Sequence, residues 1–381
     1  PRWIIEGIAT YYESELSAGG RMRSSIYEMY MRMAVLENNV LHFDTLNNDT
    51  DYWLRGDIWY LYGSRFVQWL VDHYGEGVIL EMVEWYGRRA LPFSVNRMAK
   101  RLTGETFDTL YKMWIQDLQG HYGAIDAAVR SAGLVEGRRV TFTGERVRGL
   151  RFEDDEHLLY FASDGRSDPQ IRRLDLGDGN RLERIVRSAG ESYPTLHPNG
   201  DLYFESIDAH DVNVYRYYDL FRYDPKGPWK RERITHGLRA RYPDLSPDGQ
   251  SIVYVRNASS TQTLWIADLV DIEGTQKELV GSERFEQVYT PRFSPDGGKV
   301  AYSAWRKGGY RDVFVLDLRT GETERVTNDR ALDTGPAWSP DGSRLYFSSD
   351  RTGIANIYAW ELASGEITQV TNLVAGAYTP A

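Results

Sequence analysis

Residues 242–255 read YPDLSPDGQSIVYV, and this stretch contains the pattern that decides the fold. Within SPDG, proline presets φ at one turn position and glycine tolerates a positive φ at another. The segment therefore predicts a tight turn. The apolar run 251–255 that follows it is typical of a β-strand.

The same heading recurs along the second part of the chain. Its other copies are YPTLHPNG at 193–200, YTPRFSPDG at 289–297 and PAWSPDG at 336–342. The prolines that precede the Asp-Gly or Asn-Gly pair are spaced by 49, 48 and 45 residues. A fifth, degenerate copy begins at Arg151, where LYFASD at 159–164 aligns without gaps on LYFSSD at 345–350. Repetition at this period indicates blades or solenoid units.

The content of each repeat favours a blade. After the SPDG turn of the last copy come an apolar run, the polar turn DRTG, the strand-like run NIYAW at 356–360, a second turn and a short final run. Four short antiparallel strands in one repeat are typical of a propeller blade, which must stack on its neighbours to bury both faces.

These repeats resemble the TolB-like propeller family, in which the SPDG turn and the stretch DRxGxxNIY recur. The last copy carries the second stretch as DRTGIANIY at 350–358, and the resemblance covers residues 149–381. The predicted propeller domain is 138–381, with five blades visible. Because YTP at 378–380 repeats YTP at 289–291, we expect six or more blades and a propeller that is incomplete at its C-terminal end.

Residues 1–137 have a different periodicity. Apolar residues recur at helical spacing in 58–70, 78–85 and 110–118, which predicts amphipathic helices. Gly75 and Gly104 stand where helices should end, and Thr106 where a new one should begin. A final helix is predicted over 124–132, and 133–137 is predicted to be a linker. The fold class is therefore multidomain: a helical part followed by an all-β propeller.

The opening residues, PRWIIEGIATYYE at 1–13, resemble the Trp-x-x-Glu-Gly-x-Ala-x-Tyr segment of gluzincin metallopeptidases of the peptidase MA-like group. The resemblance implies that residues 1–137 are the helical C-terminal part of such a domain and that Glu6 is the third zinc ligand. YLYG at 60–63 resembles the Tyr-x-x-Gly segment of the same family. Tyr60 would then be the catalytic residue that hydrogen-bonds the oxyanion.

Both residues also have ordinary explanations. Glu6 could be a carboxylate that stabilises a helix N-terminus. Tyr60 could be an interfacial aromatic residue, and Tyr62 competes for its role. Catalytic zinc needs three protein ligands and a water, yet the chain contains no His-Glu-x-x-His segment. We therefore expect the zinc motif to lie upstream of Pro1 in an intact protein, or the domain to be degenerate, and we expect this chain alone to be inactive.

Bulk composition excludes several classes of protein. The formal net charge is −10 with no basic domain, which argues against a nucleic-acid partner. There is no cysteine, so disulfides and thiolate metal sites are excluded. No run of residues is apolar and long enough to predict a transmembrane segment. Periplasmic or secreted localisation follows from the family resemblance alone.

Two principal functions remain open. One is a zinc-dependent metallopeptidase that acts on a protein or peptide substrate, with a propeller that binds substrate or partner. The alternative is a non-catalytic envelope protein whose TolB-like propeller mediates protein–protein interaction. A third reading, a relative of prolyl oligopeptidases, needs a Gly-x-Ser-x-Gly elbow that this sequence lacks.

Overall fold

The computed structural model describes residues 1–17, 19–47, 54–88, 95–142, 146–210, 215–228, 230–306 and 310–381. These residues form two compact units. The helical unit comprises Pro1–Leu134 together with Leu373–Gly376, and the propeller unit comprises Val135–Asn372 together with Ala377–Ala381. In the described residues a helical region precedes five four-stranded antiparallel sheets, which confirms the predicted fold class of a helical part followed by a propeller.

The described residues of the helical unit form α-helices and 3₁₀ turns. Its helices are α1 (Arg2–Glu15), α2 (Ser25–Leu36), α3 (Ile58–Tyr74), α4 (Gly77–Gly87), α5 (Val95–Thr103) and α6 (Phe107–Ser131). None of the helices in the described ranges combines the length and the hydrophobicity that crossing a bilayer requires.

The predicted helix ends are found at the glycines. Gly75 follows α3 with φ 84° and Gly104 follows α5 with φ 86°, a backbone region open to glycine. Thr106 caps α6, because its hydroxyl accepts a hydrogen bond from the Thr109 amide at 3.3 Å. The final helix predicted over 124–132 is helical as far as Ser131, but it is not a separate element, because its residues continue α6 and Ala132 is the C-cap.

An aromatic cluster forms the core of the helical unit around Trp3, which is fully buried. The Trp3 ring lies 5.6 Å from Phe43, 5.2 Å from Phe66 and 5.1 Å from Phe107, measured between centroids. Aromatic pairs at such distances add to the stabilisation that burial of their area provides. Trp3 therefore joins α1 to α3, to α6 and to the loop that carries Phe43.

Helices α1 and α3 touch backbone to backbone at Gly7 and Gly63. A Cβ atom on Gly63 would lie 2.5 Å from the carbonyl oxygen of Trp3, and one on Gly7 would lie 2.6 Å from the carbonyl carbon of Gly63. Any side chain at either position would overlap backbone atoms that cannot move independently of their helix. Glycine at both positions is thus required by packing.

The helical unit also includes four residues from near the end of the chain. Arg32 of α2 is buried, and its Nε and Nη2 atoms donate to the carbonyl oxygens of Val374 and Ala375, each at 2.8 Å. Two hydrogen bonds from one guanidinium fix the backbone of Leu373–Gly376 within this unit.

The propeller unit consists of five four-stranded antiparallel sheets, in the part of the chain described. In each sheet the strands follow one another in sequence order, as expected for a blade. Grouped by blade, they are β1 (Arg146–Phe152), β2 (His157–Ser163), β3 (Gln170–Asp175) and β4 (Arg181–Arg187); β5 (Thr195–Leu196), β6 (Leu202–His210), β7 (Tyr215–Tyr223) and β8 (Arg231–Arg233); β9 (Ala240–Leu245), β10 (Ser251–Ala258), β11 (Thr261–Asp268) and, after the short helix α7 (Ile272–Thr275), β12 (Lys277–Val280); β13 (Gln287–Phe293), β14 (Lys299–Trp305), β15 (Arg311–Asp317) and β16 (Thr323–Arg325); and β17 (Thr334–Trp338), β18 (Arg344–Ser349), β19 (Asn356–Glu361) and β20 (Ile367–Gln369).

The SPDG segments form the predicted tight turns between the first two strands of a blade. In the β9–β10 turn, the Ser246 hydroxyl donates to Asp248 at 2.6 Å and accepts from the Ser251 amide at 2.9 Å. Gly249 has φ 71°. The hydrogen bond from Ser246 holds the pKa of the Asp248 carboxyl below its ordinary value. We call this arrangement the serine–aspartate clasp; it recurs in the β13–β14 and β17–β18 turns.

A prediction follows from the contact between α1 and α3. The substitution Gly63→Ala should lower the free energy of unfolding of the helical unit by about 3 kcal/mol, because the new methyl group meets the Trp3 carbonyl. The matched control is Gly123→Ala, within α6, where a Cβ atom would meet nothing within 4 Å. That variant should be more stable than wild type by roughly 0.5–1 kcal/mol. Denaturant titration followed by far-ultraviolet circular dichroism measures both; equal stability of the two variants would contradict the packing argument.

Candidate protein-binding site at the channel ring

Each blade contributes its first strand to a common cavity in the propeller unit. In blades two to five, the contributing residue stands two places before the Ser-Pro or His-Pro pair of the heading. The equivalent residue is used in the degenerate first repeat and in the last residues of the chain. These six residues, which we call the channel ring, are Arg151, Thr195, Asp244, Arg292, Ala337 and Ala381. All six line one open cavity of about 350 Å³.

A β-bulge repeats immediately before the ring position. The pairing register shifts between Arg148 and Arg151, and again between Tyr289 and Arg292. The residue two places before the ring position lies in the left-handed region at Gly149, Tyr242, Thr290, Gly335 and Thr379, with φ between 46° and 63°. Bulges redirect side chains and commonly lie next to binding sites. The repeat therefore builds the same local kink before the ring position in the first, third, fourth and fifth blades.

Asp244 is the best-satisfied member of the channel ring. One of its carboxylate oxygens accepts from the Arg151 guanidinium and from the Thr195 hydroxyl, the latter at 3.3 Å. The other oxygen accepts from the Phe293 amide at 2.7 Å. Charge-assisted bonds of this kind offset the desolvation of a buried carboxylate. Arg151 and Asp244 therefore neutralise each other across blades one and three.

Arg292 has no such counter-ion. Its side chain is buried, with the residue 7% exposed, and its Nη1 atom donates to the Pro291 carbonyl at 3.1 Å. Among the described residues, no carboxylate forms an ion pair with it. Burial, reinforced by the nearby charge of Arg151, lowers the pKa of the Arg292 guanidinium to about 9. The channel ring thus contains two cations and one anion.

The rim of the cavity is apolar and aromatic. Phe152 follows Arg151 in β1 and is 56% exposed, and Trp338 follows Ala337 in β17. The Trp338 indole donates to the Arg292 carbonyl at 3.1 Å, which fixes its ring beside that residue. Prolines of the clasp turns complete the rim. A charged base under an aromatic rim is typical of a recognition pocket.

Glu205, in β6, is a buried carboxylate in the same blade as Thr195. It is fully buried and accepts a hydrogen bond from the Tyr193 amide at 2.9 Å. Burial raises the pKa of Glu205 to about 7, and the positive charge of Arg241 opposes the rise. Arg241 itself lies over the rings of Tyr218 and Tyr242, at 4.2 and 4.6 Å. This polar group stands outside the channel ring.

Glu6 and Tyr60, the predicted zinc ligand and oxyanion donor, both lie half-buried in the helical unit, on α1 and α3. Arg21 covers the Tyr60 ring at 4.3 Å. Tyr62 is buried, and its hydroxyl accepts from the Leu41 amide at 3.5 Å. Across the described ranges, no group of three His, Asp or Glu side chains is placed to hold a metal ion. The roles of Glu6 and Tyr60 stay predictions.

The channel ring was missed in the sequence because no single ring residue is chemically unusual. The available signal was positional, because the headings align the ring residues of blades two to five without gaps. In blades three to five the residue two places earlier, Tyr242, Thr290 or Gly335, has the positive φ of the bulge. The Arg151–Asp244 pair leaves no trace in the sequence, because its members are 93 residues apart.

Stacked four-stranded blades around a ring of inner-strand residues define a β-propeller of the TolB type. Residues 207–381 match the TolB beta propeller domain family. Two similar curated proteins are the Tol-Pal system proteins TolB of Francisella tularensis subsp. holarctica (strain OSU18), 32% identical over 106 residues, and subsp. mediasiatica (strain FSC147), 31% identical over 106 residues. Each match covers 26% of this chain and 23% of the relative, so the matched part is about a quarter of the relatives' length.

Among solved structures, TolB from Acinetobacter baumannii has a similar fold, with a TM-score of 0.51 and 19% identity over 60% of this chain and 55% of that one. The second unit is therefore a TolB-like β-propeller. These matches give no support to the metallopeptidase resemblance of the helical unit.

Glu205 predicts a pH dependence of stability. Its pKa is raised from an ordinary 4.5 to about 7 in the folded chain, so the folded chain binds a proton more tightly than the unfolded chain does. This contribution to stability therefore grows as pH falls from about 7 to 4.5 and is lost as pH rises. Glu205→Gln should raise the Tm by several degrees at about pH 8 and by less at about pH 5. The exposed Glu322→Gln is the control; an identical pH profile for Glu205→Gln and wild type would contradict the assignment.

Proposed function

We propose that the propeller unit is a protein-interaction module that binds a partner at the channel ring. The observation that carries this proposal is the cavity itself, an open concavity lined by charged residues, with the exposed Phe152 and the half-buried Trp338 as its aromatic residues. Aromatic residues beside a desolvated arginine are the usual anchors of protein interfaces.

The relatives support an envelope role. They are named as proteins of the Tol-Pal system, and a propeller that joins envelope proteins fits that description. By this analogy the chain acts in the periplasm or outside the cell, and its partner is another envelope protein. Binding, rather than bond-breaking chemistry, is what the described residues of the propeller provide.

Site-specific photocrosslinking tests this proposal. A photoreactive phenylalanine analogue replaces Phe152 or Trp338 in the full chain, and Glu324 on the outermost strand β16 in the control. In the envelope fraction of the source cells, both rim positions should capture the same protein, identified by mass spectrometry. Phe152→Ala should weaken binding of that purified partner about tenfold. Equal capture at Glu324, or no capture at the rim, would contradict the proposal.

A zinc-dependent metallopeptidase is the second candidate, and it rests on Glu6. This carboxylate is half-buried and forms no ion pair or side-chain hydrogen bond with the described residues, although α1 touches α3, which carries Tyr60. The described residues do not by themselves fit a zinc site. This candidate therefore needs ligands beyond those the described residues supply.

Metal analysis separates the two candidates. If Glu6 is a ligand, a longer natural chain that includes a His-Glu-x-x-His segment should bind one zinc, and Glu6→Gln should weaken that binding at least about tenfold. Glu15→Gln, on the same helix, is the control and should leave zinc binding unchanged. Zinc affinity that is equal in the two variants would exclude Glu6 as a ligand.

A further inference from the structure

The channel ring combines open space with a buried cation, Arg292, that forms no ion pair with the described residues. Arg151 is neutralised by Asp244, whose two oxygens already accept three hydrogen bonds. Arg292 is held by one backbone carbonyl. A buried charge without an ion pair is unfavourable for folding, so its presence needs a compensating partner or a function.

The ring positions next to Arg292 in the repeat keep that space open. Ala337, in the following blade, has a single methyl group, and so has Ala381 at the sixth position of the ring. Both line the same cavity as Arg292. Trp338 packs beside Arg292, since its indole is hydrogen-bonded to the Arg292 carbonyl. The cavity therefore combines a guanidinium group with two small residues and one aromatic ring.

We infer that the channel ring takes up one carboxylate of a bound peptide, with Arg292 as the residue that recognises it. This inference rests on the proposed function, because it names the group that the protein partner presents. A planar guanidinium matches the two oxygens of a carboxylate in a bidentate arrangement.

A monoanion is favoured over a dianion by the charges of the ring. The ring has one cation in excess, and the carboxylate of Asp244 stands across the same cavity. A single negative charge balances the excess, whereas a phosphate dianion would be repelled by Asp244. The apolar rim of Phe152 and Trp338 accommodates the rest of a peptide chain rather than a small free ion.

The carboxylate has two possible sources in a peptide, its C-terminus and an Asp or Glu side chain. Three hexapeptide mixtures distinguish them when they are passed over the immobilised full chain. The first has a free C-terminus and no acidic residue, the second is C-terminally amidated with one fixed Glu, and the third is amidated with Gln in place of that Glu. Retention of the first or second mixture should exceed that of the third about tenfold, and the better retained one identifies the source.

Substitutions assign the preference to Arg292. Arg292→Met should abolish the preference for the carboxylate-bearing mixtures over the third mixture. Arg292→Lys should keep part of that preference, because the positive charge remains while the bidentate geometry of the guanidinium is lost. Ala337→Glu should also abolish it, by supplying a carboxylate from within the ring. Arg319→Met, at an exposed turn between β15 and β16, is the matched control and should behave as wild type. Circular dichroism melts confirm that each variant is folded.

The outcomes are unambiguous. Equal retention of the three mixtures, no retention of any mixture by the wild-type chain, or an acidic preference that survives in folded Arg292→Met would overturn the inference. Partner capture at Phe152 and Trp338 in the crosslinking experiment would still stand in those cases. Failure of the carboxylate site is thereby separated from failure of the proposed function.

Discussion

The serine–aspartate clasp is the interaction on which the third, fourth and fifth blades depend. One hydroxyl group both donates to a carboxylate and accepts from a backbone amide, so three residues of a short turn are fixed by side-chain bonds that no neighbouring blade has to provide. The clasp sets the register of the first hairpin. That register determines which residues pack in the core between blades and which residue lines the cavity.

Asp244 shows how the turn determines the position of a ring residue. Counting back from the clasp serine, Leu245 is buried in the core shared by the second and third blades, and Asp244 lines the cavity. The bulge at Tyr242 then turns the strand, which lets Asp244 reach Arg151 of another blade. A slip of one residue would place an ionised side chain in an apolar core, which is strongly unfavourable.

Much of this fold could be predicted from the sequence because each repeat contains short local patterns of turn and strand residues. Turn chemistry at Gly249 and capping at Thr106 depend on neighbours within a few residues, and these predictions agree with the structure. Glycine inside a long helix is a weaker signal. Gly120 and Gly123 do not interrupt α6, because tertiary packing of its apolar face outweighs a local preference.

The sequence does not determine what depends on distance in the chain. The pairing of Arg151 with Asp244, and the inclusion of Leu373–Gly376 in the helical unit through Arg32, require the folded backbone. Gly7 and Gly63, in the two segments that resemble a metallopeptidase, also have a role that only the folded structure shows. Gly7 and Gly63 are needed for two helices to touch, whatever chemistry the domain has. Their presence therefore carries information on packing and only indirectly on catalysis.

In the first, third, fourth and fifth blades, a bulge before the ring position separates the residues that hold the blade from the residue that lines the cavity. Neighbouring residues hold the blade, while the ring residue contributes little to its core, as the range from alanine to arginine at this position shows. Mutation at the ring positions outside the Arg151–Asp244 ion pair could therefore change what a propeller recognises with small loss of stability. A scaffold of this kind can diversify its partners by altering a few inward side chains, with the framework of turns left intact.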